Sequence, residues 1–435
     1  MNDQRIRIPL GVKYEGGMLP SILLWTQRFG AVSVLSSHFP EGYHDRYSKY
    51  GLLVGVGHNA SVRSLEQLEN SLKSNKDWLF GHLGYDLKNK LENLKTHSED
   101  VIGFDDCRFF VPEIVLAAED ELVAYVHHAE HPELENLRSL LSNKMYLTRN
   151  RHAIEMVPQF TEEAYKEKIA RIKNHLQNGD IYEINYCVEF LGASNDFQAE
   201  AFFMELSQKT VAPFSAFYKM DNKYLLCASP ERYLARRGDT LISQPIKGTK
   251  RRDPDPTKDG QLKHELQQST KERSENVMIV DLVRNDLSRV AAKNSVAVEE
   301  LFGVYSFPGV HQLISTVLCR LDEAKSSVDA IRASFPMGSM TGAPKISAMQ
   351  LIDELEANAR GLYSGSVGYF APSGDFDFNV VIRSLQYHAG HGTLSLKVGG
   401  AITIASAAEE EYAECLLKAD NILRLLAGEK GRPSS

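Results

Sequence analysis

No apolar run in the sequence approaches the roughly 20 residues needed to span a bilayer. The N-terminus, Met1-Asn2-Asp3-Gln4-Arg5, lacks the apolar core of a secretory signal. Cysteine is scarce. The five cysteines among 435 residues (Cys107, Cys187, Cys227, Cys319 and Cys415) include no Cys-x-x-Cys pair. That excludes a disulfide framework and a zinc ribbon, and it points to a reducing compartment. Positive charge is in deficit too. A net charge of -8 argues against nucleic acid or an anionic membrane as the main partner. The sequence shows no internal repeat, low-complexity tract or Pro/Gly-rich linker. What remains is 43% hydrophobic and 24% charged, the composition of a globular chain able to bury a core. The expectation is a soluble cytoplasmic protein.

Residues 1–148 mix short apolar runs with turns. Asp77–Asp86 reads as a strand with close backbone approach at Gly81 and Gly84. Phe109–Leu116 and Glu121–Val126 read as a strand pair. A polar stretch near Ser142–His152 is the best linker, and 428–435 reads as a frayed tail. Signals sharpen over 152–425. Thr161 can cap a helix with Glu162 and Glu163 in its first turn, and Gly179 can stop it. Ile181–Leu191 reads as a strand, with hairpin turns at Asp221-Asn222 and Gly238-Asp239. Helices are expected over Lys258–Ala292, Ser347–Ala357 and Glu409–Leu426. Between the last two lie the strand runs Leu362–Ala371, Phe376–His388 and Thr393–Ile404, joined so tightly that neighbours must be antiparallel. Strands and helices in separate runs imply an α+β fold.

The run Gln244–Arg251 puts Lys247 directly before Gly248-Thr249, after the strand pattern Thr240-Leu241-Ile242. Glycine admits a ligand close to the backbone, and threonine adds a hydroxyl. A lysine held there is a nucleophile or an anion clamp, and the residues leave both open. Two acidic pairs, Glu272/Glu275 and Glu411/Glu414, have the i, i+3 spacing that places both members on one helix face. Such pairs are usually solvated faces. Four carboxylates brought together would suit a hard cation such as Mg2+. Taken alone, His311 reads more often as a core histidine, and Arg383 as a strand-surface charge.

The Lys247 segment is similar to the Pro-Ile-x-Gly-Thr motif of the chorismate-utilising enzymes. Further blocks match that family in order: Gly179–Asn185, Ser229–Leu234, Glu275–Val290, Val310–Thr316, Met337–Lys345, Arg360–Tyr369, Val381–Ser384 and the helix bearing Glu411, Glu414 and Lys418. The N-terminal part matches loosely, through Phe80–Asp86. The resemblance implies two large antiparallel sheets packed as a sandwich with helices outside. It also implies Mg2+ on Glu275 and Glu414, with Glu272 and Glu411 close by. Arg383 and Tyr363 match residues holding the enolpyruvyl carboxylate of chorismate. Gly248, Thr249, Thr341, Gly399, Gly400 and Lys418 match further substrate contacts. Glu231 matches a general acid for the departing 4-hydroxyl, and His311 an active-site histidine near it.

In that family the residue before Gly-Thr separates the subfamilies: alanine in anthranilate synthases, lysine in aminodeoxychorismate synthases. Lys247 therefore implies the synthesis of 4-amino-4-deoxychorismate, for 4-aminobenzoate and folate, from chorismate and ammonia. Anthranilate synthesis and a non-catalytic chorismate-binding scaffold are the alternatives. No Gly-x-Cys-x-Gly signature is present, so a separate glutamine amidotransferase subunit is the expected ammonia source. In the implied mechanism Lys247 attacks C2 as a free amine. Burial, and the cations Lys250, Arg251 and Arg252 if they point inward, would lower its pKa for that purpose. Two residues depart from the pattern. Glu183 stands where ammonia-using relatives carry glutamine and water-using relatives carry lysine; a carboxylate there can take a proton from ammonium or orient ammonia. Ala401 stands where glycine is commoner, which is costly if the backbone needs a positive φ.

Overall fold

The computed structural model describes residues 5–39, 45–143, 145–150 and 153–428. The tail beyond Gly428, and Lys144, Arg151 and His152 of the expected linker, lie outside the described residues. Local signals fix several elements. Thr161 Oγ1 accepts the Ala164 N–H at 3.2 Å, and Gly179 ends the helix Glu162–Asn178 at φ 82°. The two expected hairpins join Phe214–Met220 to Lys223–Ser229 and Arg232–Arg237 to Thr240–Gln244. Asp221 and Gly238 take positive φ, 56° and 61°, as tight turns require.

Every strand pairing among the described residues is antiparallel. One sheet runs Ile6–Pro9, Leu122–Val126, Ile114–Ala118, Leu52–Val56, Ala31–Ser36, Phe214–Met220, Lys223–Ser229, Ser384–His388, Thr393–Ile402, Glu183–Ala193, Gly342–Ala343. The other runs Ile246–Arg251, Val310–Arg320, Thr240–Gln244, Arg232–Arg237, Phe376–Asn379, Ser366–Phe370, Leu79–Leu83, Cys107–Val111, Ala60–Val62. Met156–Pro158 adds to the first on Glu183–Ala193, and Ala297–Phe307 to the second on Val310–Arg320. Segments 1–148 and 152–425 share both sheets: Ala31–Ser36 pairs with Phe214–Met220, and Leu79–Leu83 with Ser366–Phe370.

Apolar packing shows how the layers stack. Leu53, Val115 and Tyr218 of the first sheet meet Phe80, Val367 and Tyr369 of the second in one core. The helices Leu19–Thr26, Glu162–Asn178, Ala199–Lys209 and Ala408–Leu426 cover the first sheet through Ile22, Ile169, Phe202 and Ile422. Thr270–Ser288 and Ser327–Ser334 cover the second through Ile279 and Ile331. The fold is the expected α+β sandwich with helices outside. No helix among the described residues is long and apolar enough to cross a membrane.

Three runs break where the sequence reads as continuous. Phe109–Leu116 divides between the sheets at Pro112, which has no N–H for a ladder and whose carbonyl accepts from Arg5 at 2.6 Å. Phe376–His388 divides into Phe376–Asn379 and Ser384–His388, which lie in different sheets. In the crossing between them the Val380 N–H goes to Glu231 O at 3.0 Å, and the Val381 N–H to Gly365 O at 2.9 Å. Lys258–Ala292 becomes two helices, Pro256–Gln268 and Thr270–Ser288. Ser269 ends the first and caps the second, its Oγ accepting from the Glu272 N–H at 3.3 Å.

The close approach expected at Gly81 is severe. A β-carbon there would lie 2.2 Å from Arg108 O and 2.6 Å from Phe109 Cα. Gly81→Ala must push the strand Cys107–Val111 aside, and it is expected to cost roughly 1–3 kcal/mol. Denaturant midpoints of the two proteins measure this, and coincident midpoints would show that the sheet yields freely.

Candidate active site

Lys247 enters the interior through a bulge. Strand Ile246–Arg251 pairs with Val310–Arg320, but the register shifts between Ile246 and Thr249, which re-aims the side chains between them. Gly248 adopts φ 89°, and a β-carbon on it would lie 2.9 Å from Glu272 Oε2, so glycine lets the helix Thr270–Ser288 come close. Lys247 is buried, and its Nζ donates to Glu183 Oε1 at 2.6 Å. Glu183 is 1% exposed, and its Oε2 has no hydrogen-bond partner among the described residues.

Burial acts to lower the Lys247 pKa. The adjoining Glu183, with Glu275 and Glu231 further off, outweighs it and raises the pKa above the ordinary lysine value. This corrects the expectation that neighbouring cations depress it. Lys250 pairs with Glu265, Arg252 pairs with Asp259, and Arg251 is exposed.

Glu183 begins the strand Glu183–Ala193, where it bridges Ala343. The preceding turn carries Ser339 and Thr341. Ser339 Oγ donates to Glu231 Oε1 at 2.7 Å. Burial pushes the Glu231 carboxyl up to about 7, against the opposing pull of Ser339, Lys247 and the Ile246 N–H. Such a group is half protonated near neutral pH, as a general acid needs to be. Thr341 is fully buried, with its carbonyl accepting from the Asn185 N–H at 2.8 Å and its Oγ1 donating to Gly338 O at 3.2 Å.

The four expected carboxylates lie at the starts of two helices. Ser269 puts Glu272 in the first turn of Thr270–Ser288, and Glu411 is in the first turn of Ala408–Leu426. Burial raises Glu275 to about 7 and also raises Glu272 and Glu411. Burial works to raise Glu414 as well, but Lys418, 2.7 Å away, takes it below the usual value. Lys271 feels all four, which raise its pKa against burial. They share a neighbourhood, yet among the described residues no three acidic, His or Cys side chains form a ready-made metal cage. Like charges held together with oxygen donors alone suit a hard cation.

Gly399 and Gly400 lie on Thr393–Ile402 opposite Cys187 and Tyr186. A β-carbon on Gly400 would meet Lys418 Nζ at 3.4 Å and Glu411 Oε2 at 3.5 Å, and Lys418 Nζ donates to Gly399 O at 2.8 Å. Ala401 faces Asn185 in regular strand and has no positive φ, so its methyl carries no backbone strain. Arg383, in the crossing between the sheets, holds φ 51°. Burial lowers its pKa while Tyr363 and Glu414 oppose, so all three are neighbours. The guanidinium makes no hydrogen bond among the described residues, leaving its planar fork for a carboxylate. The buried Tyr363 hydroxyl accepts from Cys187 Sγ at 3.8 Å.

Two expected residues stand apart. Thr249 is exposed. His311 is buried in its own network, Nδ1 with Ser306 Oγ and Nε2 with Asp259 Oδ1, both at 2.9 Å. Sequence reasoning passed over Ser339 and Lys271. Ser339 lies inside the Met337–Lys345 block, but its bond to Glu231 spans 108 residues and leaves no local signal.

A family model described as chorismate binding enzyme matches residues 53–424. Aminodeoxychorismate synthase component 1 of Escherichia coli (strain K12) is 36% identical over 348 residues, covering 80% of this chain and 76% of that protein. The protein of that name from Klebsiella aerogenes is 37% identical over 352 residues, with the same coverage of 80% and 76%. Among solved structures, anthranilate synthase component I from Streptococcus pneumoniae TIGR4 superposes with a TM-score of 0.71 at 23% identity, over 97% of this chain and 92% of that one. MenF, the menaquinone-specific isochorismate synthase from Escherichia coli, gives 0.75 at 17% identity, over 98% and 94%. At those identities the structures speak for the fold.

The environment of Glu231 makes a stability prediction. Its carboxyl titrates at about 7 in the fold against an ordinary 4.5. The neutral form is therefore favoured by folding, and its contribution is present below pH 4.5 and lost as pH rises through about 7. Glu231→Gln removes the buried anion. It should melt above the unsubstituted chain at pH 8, with the gap closing toward pH 4.5. Thermal melts across that range test this, and a gap that widens in acid would contradict the assignment.

Proposed function

The chain belongs to the family of chorismate-binding enzymes, and on that premise we propose that it makes 4-amino-4-deoxychorismate from chorismate and ammonia, the precursor step to 4-aminobenzoate and folate. The observation that carries this is Lys247, buried beside Glu183 with Glu231 and Glu275 within electrostatic reach. The names carried by relatives that span most of the chain support the same activity.

In this reading Arg383 grips the enolpyruvyl carboxylate bidentately with Tyr363 beside it. Lys418, Thr341, Gly248 and the Gly399-Gly400 backbone hold the remaining polar groups, while the exposed Thr249 takes no part. Lys247 Nζ attacks C2 as the C4–O bond breaks, and protonated Glu231 gives its proton so that the hydroxyl leaves as water. Ammonia then attacks C4, and Lys247 departs from C2 with its electron pair. A lysine on the C2 face is what directs nitrogen to C4. His311 would reach the hydroxyl only after one of its two bonds opens. Glu275 and Glu414, with Glu272 and Glu411 beside them, are the residues that would hold Mg2+, which when bound offsets the charge of the ring carboxylate. Ammonia is supplied by a separate glutamine amidotransferase chain.

Product analysis with chorismate, Mg2+ and ammonium tests the reading. The expected product is converted to 4-aminobenzoate by a coupled lyase, whereas fluorescent anthranilate would overturn it. Lys247→Ala should lower the rate on the order of a hundredfold or more, because it removes a covalent path. Near-normal product from that variant would reduce Lys247 to a charge contact. Chelation with EDTA should stop turnover and Mg2+ restore it, with Glu275→Gln raising the Mg2+ requirement. Full activity of the variant in chelator would remove the metal assignment.

A further inference from the structure

A lysine paired with a carboxylate is an ammonium, and an ammonium has no lone pair to offer carbon. We propose that Glu183 is the general base that takes the Lys247 proton onto Oε1 and so creates the nucleophile. The proposal rests on the reading of Lys247 given above. In this step an N–H bond of the ammonium breaks and its electrons stay on Nζ as the pair that bonds to C2. The proton bonds to Oε1. When lysine leaves C2 with that pair, the proton returns from Oε1 and the ion pair is restored.

Geometry favours the transfer. Donor and acceptor already share a 2.6 Å hydrogen bond, so no side chain has to move. Glu183 is held in place by its bridge to Ala343. Gly342, on the same bridge, packs so tightly that a β-carbon would fall 2.2 Å from Glu183 O. The acceptor is also a poorly stabilised anion. Its Oε2 is buried with no donor, and a buried carboxylate oxygen without a donor holds charge badly. Lys247 Nζ is the donor its carboxylate has, whereas Glu231 receives Ser339 and the Ile246 N–H.

The surrounding charges act on both partners: Glu275 and Glu231 hold the proton on Lys247, and Glu275 also disfavours the Glu183 anion that receives it. Glu275, from the helix Thr270–Ser288, faces Glu183 and Lys247 and repels the Glu183 charge. Glu231, just ahead of Arg232–Arg237, faces Lys247. The neighbouring strands Gly342–Ala343 and Thr393–Ile402 meet this end of Glu183–Ala193 at Ala343, Gly342 and Ile402, none of them charged. A substrate that displaces water from the pair raises the cost of both charges and favours the neutral amine with its neutral acid.

The test isolates the lysine step by omitting ammonia. The chain is mixed with chorismate and Mg2+, and the rate at which mass appears on the Lys247 peptide is followed from pH 6 to pH 10. The unsubstituted chain should form adduct at neutral pH with a shallow pH profile. Glu183→Gln should be slower at neutral pH on the order of a hundredfold, and should recover by up to about tenfold per pH unit as solvent deprotonates the lysine. Glu183→Ala with added formate, which returns a carboxylate to the vacated space, should regain adduct formation and guards against a local disturbance by glutamine. Equal rates, or a Glu183→Gln profile parallel to that of the unsubstituted chain, would overturn the proposal. If Glu183 instead served the ammonia step, adduct would form normally and only the ammonium KM would rise, which also overturns it. No adduct and no amino product from the unsubstituted chain would remove the reading of Lys247 itself, and this proposal with it.

Discussion

The ion pair between Lys247 and Glu183 joins the two sheets, one residue from the strand Ile246–Arg251 and the other from Glu183–Ala193. Taking both charges from water costs several kcal/mol per ion, and only good geometry offsets it. Much of the surrounding structure meets that condition. A register shift turns Lys247 inward, Gly248 admits the helix Thr270–Ser288, and the tight packing at Gly342 holds Glu183 against its neighbour. Loss of either partner leaves a buried charge alone, so the pair also disciplines the spacing of the sheets.

Around that pair, environment sorts chemically identical carboxyls into different tasks. Glu231 and Glu275 titrate near neutrality because they are buried, while Lys418 keeps Glu414 ionised. A carboxyl that keeps its proton near neutral pH and a permanent anion are thus made from the same side chain on different elements. The starts of the helices Thr270–Ser288 and Ala408–Leu426 bring positive dipole ends to the acidic group, which eases its mutual repulsion.

Chain-local physics was legible in the sequence. Thr161, Gly179 and the turns at Asp221 and Gly238 act through neighbours a few residues away, and each element they predict is present. The acidic pairs were legible because helical spacing alone puts Glu272 with Glu275 and Glu411 with Glu414. The missed breaks at Pro112, Ser269 and Val380–Arg383 depend on which distant group takes a backbone N–H or C=O. Hydrophobicity cannot reveal that, because both halves of Phe376–His388 are buried in different sheets. Contacts such as Lys247 with Glu183 and Ser339 with Glu231 cross 64 and 108 residues. Motif order located Lys247, Glu183 and Glu231 but not Ser339, and only the fold shows that Glu183 neutralises the lysine and leaves Lys250 and Arg252 facing elsewhere.

The interleaving of the sheets bears on how the chain is made. Glu183–Ala193 finds its long partner only in Thr393–Ile402, and Lys223–Ser229 pairs with Ser384–His388. Until Ser384–His388 and Thr393–Ile402 have left the ribosome, the centre of the first sheet stands open, with two long apolar strands presenting unpaired edges. Such edges recruit other chains. The helix Ala408–Leu426, with Glu411, Glu414 and Lys418, follows Thr393–Ile402 in the chain, so the candidate site gathers its acidic residues only after the strands of both sheets have been made. A nascent chain of this topology therefore depends on being shielded through most of its synthesis, and an interrupted message yields a sticky fragment rather than a weaker enzyme.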